Sequence, residues 1–320
     1  MTKESALLRV SGLSAGYGAA PAVADLSFSL ERGEILCIVG ESGCGKSTLL
    51  KAIPGMTPGL HVLAGSILLA GEDLCTLSPK QRRELCARRI GFVFQNPGSA
   101  FNPIRSYRKQ FIETLRSHGL YRSADFEHQA SAALEKLGLP EPGNILSRCP
   151  YEMSGGMNQR IALALTLLLG QELLLADEPT SALDATIQLQ VARELKQLRD
   201  RSGISQIIVT HNLALAEYLG DRIGVIYAGR LVELGPAKAV LSAPGHPYTK
   251  SLMAAIPSLD GKMPEGLPGQ APLSGPKGQG CEFADRCKRA SERCKSLRYG
   301  LRSIGEGHWT ACPMAEGGAP

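Results

Sequence analysis

Four short runs along the chain are apolar without alternation and are bounded by glycine or charge: EILCIVG at 34–40, IGFVFQ at 90–95, LLLADEP at 173–179 and QIIVTH at 206–211. A half-buried strand alternates apolar with polar positions, so continuous apolar character predicts strands covered on both faces. With helical stretches between them, the runs predict a largely parallel α/β sheet. RIGVIYAGRLVELG at 222–235 reads differently, as two strands about a tight Ala228-Gly229 turn, which suits an antiparallel edge. Between Gln95 and Ser154 the pattern turns helical and polar, and SYRKQFIETLRSHG and DFEHQASAALEKLG each close on a glycine able to cap a helix. This stretch, about 96–153, reads as an inserted helical subdomain. Residues 257–280, with five prolines and six glycines, read as a linker to a tail at 281–320.

Composition adds bounds to this picture. With 320 residues, 43% apolar and 20% charged, the chain can bury the core of one large domain of roughly 200–250 residues plus a smaller appendage. The N-terminal MTKESALLRV lacks an apolar signal region, and the longest apolar stretch, 161–169, falls short of the ~18 residues a spanning helix needs. A chain that neither crosses a membrane nor is exported is expected. The net charge is +5, and much of it is local: Cys281 to Arg302 carries seven basic residues against three acidic ones. In a reducing compartment the nine cysteines read as core thiols or metal ligands rather than disulfides. Cys37, Cys44, Cys75, Cys86 and Cys149 are scattered singly and suit small, partly buried positions.

Three motifs carry chemistry. GESGCGKST at 40–48 follows a buried strand and opens a helix, the setting of a Walker A loop. Gly40, Gly43 and Gly45 let backbone N–H groups, with those of Ser42, Cys44 and Thr48, converge on a triphosphate. Lys46 reaches the β and γ phosphates, and Ser47 offers its hydroxyl to Mg²⁺. LLLADEP supplies the matching buried strand, delivering Asp177 to the metal and Glu178 to the attacking water, which a carboxylate can orient or deprotonate. YEMSGGMNQR at 151–160 is a Ser-Gly-Gly turn opening a helix, a second phosphate-binding N-terminus made by Ser154, Gly155 and Gly156. One nucleotide site needs only one such terminus, so the second points to a partner's nucleotide.

In this order the motifs resemble the ATP-binding cassette ATPases of ABC transporters, over about residues 7–256. The resemblance implies a P-loop ABC ATPase: a mostly parallel core sheet, an antiparallel β subdomain, the inserted helical subdomain and a small cysteine-rich extension. It also implies further site residues. Tyr17 would stack on adenine, Gln95 would reach Mg²⁺ from the Q-loop, Asp184 would close the SALD D-loop, and His211 would sense the γ-phosphate. ATP and Mg²⁺ are the implied cofactors. The implied partners are a second ATPase subunit, identical or paralogous, two transmembrane permease subunits and a periplasmic or extracellular substrate-binding protein, with this chain peripheral on the cytoplasmic face of the cell membrane. Arg105, Tyr107 and Arg108 either face a permease helix or form a plain solvated face.

Met157 within SGGM, together with QNPGSAFNP, VIYAGRLVELGP and GHPYTKSLMAAIPSLDG, is similar to the peptide and nickel importer branch. QNPGSAFNP leans toward nickel or metal chelates and the tail toward di- and oligopeptides, the favoured substrate. Asn212 stands where aspartate is usual, removing a charge but no expected ligand. Peptide-type members of the branch end in a spaced four-cysteine segment, which implies a [4Fe-4S] cluster on Cys281, Cys287, Cys294 and Cys312. The x5 and x6 gaps are wider than those of common zinc knuckles, and zinc or unoccupied thiols are the alternatives. The tail is expected to take its fold from metal ligation, and its loss to leave ATP binding unaltered, because the linker sets it apart. A rival reading, a soluble ABC ATPase acting on nucleic acid through the basic tail, lacks the fused second cassette or coiled-coil insertion usual there, so no nucleic-acid partner is expected.

Overall fold

The computed structural model describes residues 6–93, 100–181, 185–255, 266–267, 269, 275 and 278–314. The chain forms two compact units, residues 1–77 with 209–320, and residues 78–208. It opens the first with strands β1 (Ala6–Tyr17), β2 (Val23–Glu31) and β3 (Ile35–Val39), helix α1 (Lys46–Ala52) and strands β4 (Leu60–Leu69) and β5 (Glu72–Asp73). The second unit runs through α2 (Pro79–Arg89), β6 (Ile90–Val93), α3 (Tyr107–Ser117), α4 (Phe126–Lys136), α5 (Pro142–Ser147), α6 (Gly155–Leu168), β7 (Leu173–Asp177), α7 (Ala185–Ser202) and β8 (Ser205–Val209). The chain then returns to the first unit with α8 (Leu213–Leu219), β9 (Arg222–Tyr227), β10 (Arg230–Pro236), α9 (Ala237–Ser242), α10 (Pro247–Ala254), α11 (Glu292–Ser296), β11 (Arg302–Gly305) and β12 (His308–Thr310).

In the first unit, β2, β1, β4 and β5 make an antiparallel sheet in that order. The expected antiparallel subdomain is therefore present, with Leu8, Val10, Leu13 and Ala15 of β1 buried. The second sheet of this unit runs β11, β12, β10, β9, β3. Only β3 and β9 are parallel there, while β9–β10, β10–β12 and β11–β12 are antiparallel. All five residues of β3 are buried, as the unalternating EILCIVG predicts for a central strand. The turn between β9 and β10 holds Ala228 at φ 48° and Gly229 at φ 80°, the left-handed pair a two-residue hairpin of right-handed twist requires.

In the second unit β6 and β7 are parallel, and the strands of β7 and β8 are wholly buried. The helices α3 and α4 end, as their glycines predict, just before Gly119 (φ 70°) and Gly138 (φ 67°). The apolar runs thus become strands where expected, but the sheets are mixed rather than mostly parallel. The reason is the C-terminal half: β10 returns by a hairpin, and the tail adds two more antiparallel strands to it.

That addition corrects the expectation of a tail set apart. β12 pairs with β10 through Glu233 opposite Thr310 and Leu234 opposite Trp309, and the Ala311 N–H donates to the Val232 carbonyl at 2.8 Å. The pairing is locked by Glu233, which is fully buried. Its carboxylate accepts from the backbone N–H groups of Gly245 (2.7 Å) and His246 (2.9 Å) and lies 2.7 Å from His308 Nε2. A buried carboxylate needs such partners, and here they join GRLVELG and the nearby GHPY to GHWT, about sixty residues farther along the chain. The tail therefore owes order to the sheet it extends. Gly245 packs directly on the tail: a Cβ there would meet Ile304 Cδ1 at 2.4 Å and Thr310 Cβ at 3.2 Å.

Candidate nucleotide site and cysteine pocket

The Walker A loop leaves the end of β3 and enters α1 with Gly45 at φ 105° as the residue before the helix. Its glycines are required for two different reasons. A Cβ on Gly40 would lie 2.2 Å from the Ile226 carbonyl oxygen, and on Gly45 2.7 Å from Val23 Cγ1, so the loop passes too close to β9 and β2 for a side chain. Gly43 has open space but φ 78°, a conformation glycine adopts without cost. The β9–β10 turn braces the loop: the Gly229 N–H donates to the Cys44 carbonyl (2.8 Å) and the Gly229 carbonyl accepts from the Ala24 N–H (2.9 Å).

Lys46 is buried, and its ammonium donates to the carbonyls of Gly40 and Glu41, both at 2.8 Å. The expected phosphate-binding cation thus sits across the mouth of the loop. Ser42 and Gly43 are exposed there, while Cys44 is buried and presents only its backbone. Ser47 and Thr48 occupy the first turn of α1. Tyr17 ends β1 and is 52% exposed, so an aromatic base can stack against its ring. His211 is exposed and belongs to this same unit, directly after Thr210, whose N–H donates to the Ile38 carbonyl of β3 at 3.0 Å. Asn212 does what the expected lost charge did not suggest: its Oδ1 accepts from the Leu215 N–H at 3.1 Å, capping α8.

In the second unit Asp177 ends β7 and is buried. Glu178 follows with φ 47°, a left-handed backbone uncommon for a residue with a side chain and concentrated at functional sites. The Ser181 N–H and hydroxyl hold that conformation by donating to the Glu178 carbonyl at 3.1 and 3.0 Å. Ser154 caps α6, accepting from the Met157 N–H at 3.3 Å. Gly155 and Gly156 fill the first turn, and nothing among the described residues lies within 4 Å of a Cβ built on Gly155. The helix N-terminus is thereby left open to an approaching anion. Gln95 and Asp184 lie outside the described residues.

Two further residues of this region support it from inside. Asn158 is buried one turn into α6, and its amide donates to the carbonyls of Pro150 (3.1 Å), Met153 (3.3 Å) and Ser154 (3.2 Å). Its Oδ1 in turn accepts from the Tyr107 hydroxyl. Tyr107 is fully buried, with its ring edge-on to Phe101 at 5.2 Å, so a solvated face is excluded for it. Arg105 and Arg108 are more exposed and pair with Glu113 and Glu127. The aromatic at the start of a polar helix was the available sequence signal. Farther along α6, Arg160 pairs with Glu194 of α7 at 2.8 Å with both largely buried, and burial pushes the Glu194 carboxyl up to about 7 despite the nearby guanidinium.

All four tail cysteines line one pocket, together with His246, Phe283, Ala284, Arg289 and Pro313 among others. Burial pushes the Cys281 thiol up to about 11, and the neighbouring cysteines oppose its ionisation further. Cys312 is raised for the same first reason. Among the described residues no three histidine, cysteine or acidic side chains converge closely enough to hold a single metal ion. No helix among them is long and apolar enough to cross a membrane.

Residues 23–181 match the ABC transporter family, and residues 232–294 match the oligopeptide/dipeptide transporter C-terminal region. The chain is similar to the dipeptide transport ATP-binding protein DppD of Escherichia coli strain K12, 37% identical over 98% of this chain and 99% of that one. It is also similar to DppD of Bacillus subtilis strain 168, 37% identical over 92% and 89%. Among solved structures it resembles cbiO1 of Clostridium perfringens, part of the ABC transporter complex cbiONQ, with a TM-score of 0.65, 26% identity and coverage of 74% and 91%.

Proposed function

This chain belongs to the ABC transporter ATPases, in the branch that carries the oligopeptide/dipeptide transporter C-terminal region, and from that premise we propose that it binds and hydrolyses ATP to energise import of di- and oligopeptides. It works peripherally on the cytoplasmic face of the membrane, against two permease subunits, with a second ATPase subunit and an external substrate-binding protein. The two DppD relatives are dipeptide transport ATP-binding proteins, and the nickel reading drawn from QNPGSAFNP has no support in them.

The observation that carries the reading is the open N-terminus of α6 in a chain with its own P-loop. Ser154 and Gly155 are exposed, and among the described residues nothing lies within 4 Å of a Cβ built on Gly155, as expected of a surface that closes on the nucleotide held by the partner ATPase. In that sandwich Lys46 and the loop amides hold the phosphates. Ser47, Gln95 and Asp177 would hold Mg²⁺, Glu178 would orient the attacking water, His211 and Asp184 would complete the site, and Tyr17 would stack on adenine. Reconstitution in liposomes with the permeases and binding protein tests this. Dipeptide-loaded binding protein is expected to stimulate ATP hydrolysis, and stimulation by a nickel chelate instead would reassign the substrate.

The four thiols line one pocket and would be the ligands of the [4Fe-4S] cluster that the branch implies; a zinc site would use the same all-sulfur donor set. When bound, such a cluster supplies the positive charge that lets buried thiols of raised pKa ionise.

A further inference from the structure

The tail does more than extend a sheet. Arg286 lies between Cys281 and Cys287 in sequence, in a short 3-10 turn (Ala284–Arg286). Its guanidinium makes a forked ion pair with Glu41, the second residue of the Walker A loop, with Nη1 at 2.7 Å from Oε2 and Nη2 at 3.0 Å from Oε1. Both side chains are largely withdrawn from water, 7% and 22% exposed. Beneath the pair stands an aromatic box. Tyr227 and Tyr248 pack at 4.6 Å, and Phe283 meets them at 5.2 and 5.4 Å. Arg286 lies over Tyr227 at 5.6 Å and over Phe283 at 5.9 Å. The Tyr248 hydroxyl accepts from the Glu41 backbone N–H at 2.9 Å, and the Glu41 carbonyl accepts from Lys46. Glu41 is thus held on three sides: its carboxylate by the tail, its N–H by α10 and its carbonyl by the phosphate-binding lysine.

Glu41 puts a negative charge at the mouth of a loop that must receive a triphosphate. In a low-dielectric setting an uncompensated carboxylate there repels the ligand and, left unpaired, draws water or other donors into the loop. A bidentate arginine cancels that charge and fixes its geometry together. We infer that Arg286 is a positioning residue for ATP binding: the tail's guanidinium neutralises and orients Glu41, so the conformation of the cysteine segment is felt at the nucleotide. Burial of Phe283 (2% exposed) and the Cys281 N–H to Cys294 carbonyl bond at 2.7 Å keep Arg286 in register with the cysteine pocket. Loosening that pocket therefore slackens the same ion pair.

The test is a kinetic cycle on the assembled transporter and on the isolated subunit. Arg286→Ala is expected to raise the ATP KM about tenfold with kcat changed less than about twofold. Arg286→Lys, which keeps charge but loses the fork, should fall between the two. Removing the offending charge as well, in Arg286→Ala with Glu41→Gln, should recover much of the lost affinity, which a merely structural role for Arg286 would not predict. Lys295→Ala, an exposed tail change that pairs only locally with Glu292, should leave the KM unchanged. If Arg286→Ala does not fold, the same reading rests on Arg286→Lys alone and in the Glu41→Gln background. An unchanged ATP KM in every folded Arg286 variant, or a loss that Glu41→Gln does not relieve, would overturn the inference.

Discussion

Glu178 shows most directly what one residue contributes. Its left-handed backbone directly follows a buried strand and is pinned by Ser181. Changing it to glutamine keeps shape and loses the group that orients water. Glu178→Gln is expected to retain ATP affinity within a few-fold and to lose at least about a hundredfold in single-turnover hydrolysis, measured by nucleotide binding and quench-flow on one preparation. Normal hydrolysis would remove Glu178 from the chemistry. The motif was legible because the chemistry needs that residue type at that place. The strained φ was not, because nothing in LLLADEP distinguishes a left-handed glutamate from an extended one.

At the scale of elements, α6 is the most informative. Its open N-terminus carries the signature, and Asn158 and Tyr107 hold the approach to it from inside. Farther along, the Arg160–Glu194 pair fastens α6 to α7, and among the described residues Glu194 Oε2 has no hydrogen-bond partner. With its carboxyl raised to about 7 in the fold, the folded protein holds this proton more tightly than the unfolded chain does. The stability linked to the group is therefore complete at low pH and is lost as pH rises through about 7, by at most roughly 1.4 kcal/mol per pH unit. Glu194→Gln mimics the protonated form. The difference in melting temperature between variant and wild type should thus move in the variant's favour from about pH 5 to about pH 8. A difference that stays flat would show that Arg160 keeps the carboxylate ionised.

For the molecule as a whole the decisive feature is the tail. If its thiols hold a cluster, protein purified without oxygen should be brown, with iron and acid-labile sulfide in equal amounts, and should bleach in air. Cys287→Ser or Cys294→Ser should remove the colour. Because Arg286 joins this segment to Glu41, those variants should also weaken ATP binding, where a tail set apart by its linker would have left it unaltered. Equimolar zinc without sulfide would replace the cluster with a zinc site, and metal-free protein with a protease-resistant tail would end the metal reading.

The sequence by itself determined the buried strands, the helix ends at Gly119 and Gly138, the hairpin at Ala228-Gly229 and the nucleotide motifs. Each of these depends on residues close together along the chain: continuous apolar runs, left-handed glycines, or fixed spacing around a phosphate. What only the tertiary structure decided was pairing across long separations. No local signal in VELG announces that Glu233 will be buried to bind Gly245, His246 and His308, because a carboxylate's burial depends on donors that arrive from elsewhere. Nor does ADRC announce that Arg286 will meet Glu41, 245 residues away. The proline and glycine content of 257–280 reads as a linker, but a linker by composition does not prevent the next segment from packing back. The free energy that brings the tail home is the burial of Phe283 and the closing of β12 onto β10, and neither exists until the sheet does.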